Sequence, residues 1–302
     1  MKRVIMSDEK VGRVMLVADK WKDYTLLDAS CGEKLEQWKN ITLLRPDPQI
    51  IWNNGNLIDT YASSIHAWYH RNTKGGGYWE NLKKVPKQWT VCYQDLRFCI
   101  KQMGFKHTGL FPEQAVNWDF MMSKIKNSNR PIKVLNLFGY TGAATCACLK
   151  AGASVVHVDS SRGMVDWCRE NVKENHLEDK SIRYIVDDVL KFVKREIRRG
   201  NHYDAIVMDP PSYGRGANGE VWNIEQNLLE LVSLCTELLS DTPLFFLINS
   251  YTAGLSSQVL KNLLLTTVAL KYQGKVSCDE VGLPIQHSDL VLPCGIYGRW
   301  EE

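Results

Sequence analysis

No stretch of this 302-residue chain stays apolar over the ~20 residues that a bilayer-spanning helix requires, so a helical membrane protein is not expected. The opening MKRVIMSDEK carries a basic tip with no apolar segment behind it. It gives no sign of a secretory leader and makes the cytoplasm the expected compartment. Cysteine pairs at zinc spacing are missing as well. The nine cysteines are an odd, scattered set, and the one close pair, Cys146 and Cys148, has a single residue between its members. Neither a disulfide framework nor a metal site is expected. The P-loop spacing G-x-x-x-x-G-K-[ST] is also lacking.

What is present is an ordinary globular composition, 44% hydrophobic and 24% charged. The net charge of +3 conceals an asymmetry: residues 1 to 110 hold 17 Lys+Arg against 11 Asp+Glu, and the remainder holds 20 against 23. An acidic partner would be drawn to the front of the chain. Six of the ten tryptophans also fall in the first 89 residues, where they can form the core of a small domain or stack on bases.

Two rhythms divide the chain, and they place a boundary at 107/108, with a basic, aromatic-rich α+β region before it. In the first region "DYTLLDAS" and "ITLLRPDPQIIW" read as strands, with a turn at Cys31-Gly32 and a stop at Pro46 and Pro48. "WTVCYQDLRFCIK" reads as a hairpin about Gln94-Asp95. In the second region strands and helices alternate: "IKVLNL" running into a Gly loop, "SVVHVDSS", "IRYIVDDV", "YDAIVMD" and "PLFFLINS" are separated by helical stretches, two of which are "EVWNIEQNLLELVSLCTELL" and "LSSQVLKNLLLTTVAL". That alternation predicts an α/β fold with a parallel sheet covered on both faces, and a ligand beyond the carboxyl ends of its strands.

Those ends carry acids: Asp159, Asp187-Asp188 and Asp209. The first strand closes instead on "NLFGYTGAAT", a glycine loop without the G-x-G-x-x-G spacing of dinucleotide sites. An acid about 20 residues past such a loop can accept from both ribose hydroxyls of an adenosine ligand. Together, "FKHTGLFPEQ", "VLNLFGYTGAAT", "VVHVDSS", "VDDV", "MDPPSY" and "LPCGIYGRW" resemble the class I S-adenosylmethionine-dependent methyltransferases. In detail they resemble the ribosomal RNA large-subunit enzymes that modify cytosine carbon-5 or guanine nitrogen-7.

The resemblance implies a Rossmann-like seven-stranded fold over roughly residues 104 to 302, with S-adenosylmethionine as cofactor. Its methionine part would lie against Asn136, Phe138, Gly139, Tyr140, Thr141 and Gly142. Asp159 with Ser160 would take the ribose, and Asp188 or, second, Asp187 the adenine amine. Thr108 and Gln114 match the family's loop over the cofactor, whereas His107, Glu113 and Ala115 depart from its Lys, Asp and Arg. Asp209 would also border the cofactor; on the acceptor side, it and the Pro210 carbonyl would accept from a base edge, Tyr213 would stack and Asn249 would help bind. No cysteine stands in "INSY", where the cytosine enzymes have theirs; Asn249 is closer to the guanine enzymes.

Methyl transfer from a sulfonium needs orientation more than proton or metal chemistry. The expected partner is RNA, plausible phosphate contacts coming from the basic helix "KFVKREIRR". Rival readings are a small-molecule or protein methyltransferase, a non-catalytic RNA-binding protein that keeps its cofactor site, and a dinucleotide oxidoreductase, which the glycine spacing and Asp-Pro-Pro oppose.

Overall fold

The computed structural model describes residues 15–72, 76–216 and 219–302. Its N-terminal third is β-rich: β1 (Leu16–Val17), β2 (Tyr24–Ser30), β3 (Glu33–Trp38), β4 (Ile41–Pro46), the five-residue helix α1 (Leu57–Tyr61), β5 (Ala67–Arg71) and β6 (Gly77–Asn81). Strands β2 to β6 form one sheet in sequence order. The turn at Cys31-Gly32 is present, with both residues at positive φ, and Pro46 ends β4. Strand β3 departs from the sequence reading, which passed over it because its charged residues give no apolar alternation. Glu36 in β3 points inward, fully buried, where Arg45 donates to it at 2.5 Å and Tyr24 at 2.8 Å. A buried carboxylate is tolerated when it is paired in this way.

Strands β7 (Trp89–Tyr93) and β8 (Leu96–Ile100) form the expected hairpin, with Gln94 at φ 50°. The helix Arg162–Glu174 and its C-cap Asn175 clamp the outer strand: Asn171 accepts from the Cys99 N–H at 2.8 Å, and Asn175 accepts from the Arg97 N–H at 2.9 Å while donating to its carbonyl at 2.6 Å. The edge strand is thereby sealed.

A single 3-10 turn, Pro112–Gln114, opens α2 (Ala115–Asn127). Then follow β9 (Lys133–Leu137), α3 (Ala143–Lys150), β10 (Ser154–Asp159), α4 (Arg162–Glu174), β11 (Ile182–Val186), α5 (Val189–Arg198) and β12 (Ala205–Met208). The hairpin β13 (Tyr213–Arg215) and β14 (Val221–Asn223) leads to α6 (Ile224–Glu237), β15 (Phe245–Ser250), α7 (Ser257–Thr266), α8 (Val268–Lys271), β16 (Lys275–Pro284) and β17 (Val291–Glu301). Two expected helices are corrected. "EVWN" begins as a strand paired with β13, and α6 starts only at Ile224, where Asn223 caps it by accepting from the Glu225 and Gln226 N–H groups. The helix through "LSSQVLKNLLLTTVAL" breaks at Thr267, whose φ −126° and ψ −87° lie outside the helical region.

The central sheet runs β1-β16-β17-β15-β12-β9-β10-β11. Seven of its strands come from the second region, as expected, and the two-residue β1 adds an eighth at the edge. Strands β9 to β12 and β15 are parallel, while β17 runs antiparallel between β15 and β16. Alternate residues feed opposite faces: Val134, Val155 and Val207 join one core cluster, and Leu135, Val156 and Ile206 the other. Burial on both faces explains why the strands read as unbroken apolar runs. From β9 the chain goes first to β10 and β11 on one side, then returns to β12 on the other. The crevice this reversal opens lies past the carboxyl ends of β9, β10 and β12.

Candidate active site

The loop after β9 forms the floor of that crevice. Phe138 and Tyr140 adopt φ of 54° and 53°, unfavourable for bulky side chains, so neighbours must hold them. Tyr140 N–H donates to Asp159 Oδ2 at 2.9 Å, Thr141 Oγ1 to the Gly109 carbonyl at 2.6 Å, and Asn171 to the Thr141 carbonyl at 2.8 Å. Glycine is required at 142, where φ is 83° and a Cβ would stand 2.2 Å from the Cys168 Sγ. It is required at 109 too, where φ is 95° and a Cβ would stand 2.2 Å from the Trp167 ring.

Eight of the expected residues line one cleft above this floor: Gln114, Asn136, Phe138, Gly139, Tyr140, Thr141, Asp209 and Asn249. The others lie around it. Gly142 starts α3 behind the loop, and Asp159 supports the loop from the end of β10, with exposed Ser160 next to it. Thr108 is buried beside Gly109, and its hydroxyl has no hydrogen-bond partner among the described residues. At the end of β11, Asp187 pairs with Arg195, and Asp188 caps α5 by accepting from the Lys191 N–H at 2.9 Å. Pro210 is buried. Tyr213 is exposed on the β13–β14 hairpin and is not part of the cleft wall. Three of the four cations of the basic helix α5 are engaged: Lys191 with Glu220, Lys194 with Glu230 and Arg195 with Asp187.

The two acids nearest the cleft differ. Asp159 accepts from the Ser161 N–H at 2.8 Å as well as from Tyr140; burial raises its carboxyl above the ordinary range, and those two donors oppose the rise. Asp209 has no hydrogen-bond donor to its carboxylate among the described residues. Burial first, and Glu113 second, push its carboxyl up to about 7. Glu113 itself is 4% exposed, its carboxyl raised by burial.

A polar chain that the sequence reading missed orients Asn249. Arg299 is buried with no ion pair among the described residues, and burial pushes it down to about 10. It donates to the Asn117 side-chain carbonyl, so the Asn117 amide must present its N–H groups to Gln114 Oε1 and Asn249 Oδ1, each at 2.8 Å. Asn249 therefore keeps its own amide N–H groups for the cleft. Gln114 in turn donates to the Tyr251 hydroxyl at 2.6 Å. The available signal was spacing, since Gln114 and Asn117 are three residues apart on one helical face.

A family model for S-adenosylmethionine-dependent methyltransferases matches residues 65–259. The chain belongs to that family. It is 33% identical to the S-adenosylmethionine-dependent methyltransferase from Agrobacterium tumefaciens, with a TM-score of 0.89 over 95% of this chain and 93% of that one. Among curated proteins it is 29% identical to the Ribosomal RNA large subunit methyltransferase K/L of Syntrophotalea carbinolica, over 60% of this chain and 25% of that one. It is 26% identical to the Ribosomal RNA large subunit methyltransferase K of Neisseria meningitidis, over 82% of this chain and 70% of that one. The match thus spans about a quarter of the length of the K/L relative.

The cleft suits the family's cofactor. A sulfonium and an ammonium favour a carboxylate without competing donors, which Asp209 supplies, and the small Gly139, Ala143 and Ala144 leave room for close approach. When bound, the cofactor supplies an electrophilic methyl group; this chain's part is to orient and to exclude water.

Proposed function

We propose that this chain transfers a methyl group from S-adenosylmethionine to a base of ribosomal RNA, in the cytoplasm, with residues 108–302 carrying the transfer. The observation that carries the reading is Asp209, a carboxylate without donors among the described residues, in a cleft whose floor is the Gly139 loop. The names of the curated relatives support ribosomal RNA as the acceptor. In this reading Asp209 and the Pro210 carbonyl accept from an amine edge of the base, and Asn249 donates to a neighbouring acceptor atom. Asp159 with Ser160 receives the ribose, and Asp188 or Asp187 the adenine amine. Tyr213 covers the base from the rim.

Burial holds the Cys294 thiol well above its ordinary range, so it does not supply a thiolate. Asn249 occupies the place where a cysteine nucleophile would stand. Both features favour direct attack by a ring nitrogen or an amine. The test is mass spectrometry of digested large-subunit RNA from cells with and without the gene. One methylated nucleoside should disappear and return when purified protein and cofactor are added; unchanged RNA would reject the reading.

A further inference from the structure

A second cleft opens on the far side of the Leu110-Phe111 stretch, between the N-terminal sheet and the methyltransferase sheet. The two clefts share Leu110 and Phe111 as a common wall. The second one contains Glu113, which acts electrostatically on Asp209, and Tyr251, which Gln114 holds. Its aromatic side is continuous: the Phe111 ring lies 5.2 Å from His107, 5.3 Å from Tyr251 and 5.6 Å from Tyr140.

The opposite wall comes from β3, β4 and the segment after them, and it is charged. Lys34 pairs with Asp47 at 3.2 Å, and Arg45 pairs with Glu36. Lys106 is the cation left over. Its ammonium meets the Pro46 carbonyl at 3.3 Å, and among the described residues no carboxylate comes within ion-pair distance. Burial pushes it down to about 8; Asp47, already paired with Lys34, opposes the fall, while Lys34, Arg45 and Arg71 add to it. A half-buried cation that shares its one nearby acid, Asp47, with Lys34 is costly unless a further anion completes the cluster. The contrast with α5, where three of four cations already have acids and Arg198 lies exposed to solvent, decides between the two basic features.

We propose that this cleft admits the acceptor strand, and that Lys106, backed by the N-terminal sheet, binds a phosphate next to the base being methylated. The inference rests on the RNA reading above and gives the N-terminal sheet a part in the site. The ring wall of His107, Phe111 and Tyr251 then borders the path of the base toward Asp209.

The test compares Lys106→Met with Lys87→Met, an exposed control, in methylation of ribosomal RNA from cells lacking the gene. Lys106→Met should raise KM about tenfold with kcat retained, the loss of one charge-assisted contact. The log–log salt slope of RNA binding should fall by about 1, and thermal stability should not drop, since an unpaired buried cation has been removed. Lys87→Met should change none of these. If the wild type methylates the RNA but Lys106→Met leaves KM and salt slope unchanged, the inference is overturned. If the wild type is inactive on this RNA, the function reading fails instead. Calorimetry with inorganic pyrophosphate then still decides the site: binding by the wild type that Lys106→Met abolishes supports it, and equal or absent binding overturns it.

Discussion

Asp159 and Asp209 end two parallel strands that flank β9 on opposite sides, yet they live in different surroundings. Asp159 accepts two backbone N–H groups and thereby holds a strained loop; among the described residues Asp209 accepts none, and it faces a second acid, Glu113. A carboxylate with donors serves the fold as well as any ligand. One without donors is costly to the fold, and that cost is the mark of a binding group. Three measurements can break or sharpen this contrast.

The largest effect is expected from Asp209→Asn. Replacing one acceptor oxygen and the charge by a donor amide should lower methyl transfer by about a hundredfold, because a misoriented base loses the near-attack arrangement. Stability should move the other way. Asp209 is raised from 3.8 to about 7 on folding, so its favourable contribution is full below pH 4 and is lost as pH rises to 7. The asparagine variant should therefore be more stable than wild type at pH 8, by on the order of 1 kcal/mol, with the gain shrinking between pH 7 and pH 4. Denaturant unfolding across that range reads it. A variant less stable at pH 8 would make Asp209 a structural residue.

Asp159→Ala should behave in the opposite sense. Two backbone donors lose their acceptor and the loop at Phe138 and Tyr140 loses its support, so about 2–3 kcal/mol of stability should go. Asp159→Asn, which keeps one acceptor oxygen, should recover part of it. Cofactor binding by calorimetry should weaken in both. An alanine variant with wild-type stability would show that the loop is held by Thr141 and Asn171 alone.

The part of this contrast that sequence reveals is the placement. Apolar runs ending in acids locate Asp159 and Asp209 at strand ends, because parallel strands are apolar on both faces and must turn polar where they leave the sheet. The donors are hidden. Nothing local in "HVDSS" and "VMDPP" says that Tyr140, from the preceding strand's loop, will donate to one acid and that Glu113 will repel the other. Glu113 reads as a residue of a first helical turn, and it does sit in one; only packing buries it. Strand β3 was hidden for a similar reason, since Glu36 becomes an inward residue through Arg45, a partner on the next strand. The Arg299, Asn117 and Asn249 chain joins residues 182 and 132 positions apart.

The smallest expected effect is the most direct test of what Asp209 faces. S-adenosylmethionine carries a methyl group, and with it a sulfonium charge, that its product S-adenosylhomocysteine lacks; the rest of the two molecules is the same. If the Asp209 carboxylate lies near the sulfur, the charged form of the acid favours the substrate cofactor over the product. The acid becomes charged as pH passes about 7, so the ratio of product to substrate dissociation constants should rise a few-fold between pH 6 and pH 8. Asp209→Asn should flatten that rise, whereas Asp159→Asn should leave it, because the group that supports the loop is not the one titrating there. A ratio independent of pH in the wild type would place Asp209 away from the sulfur, and its role would then be confined to the acceptor base.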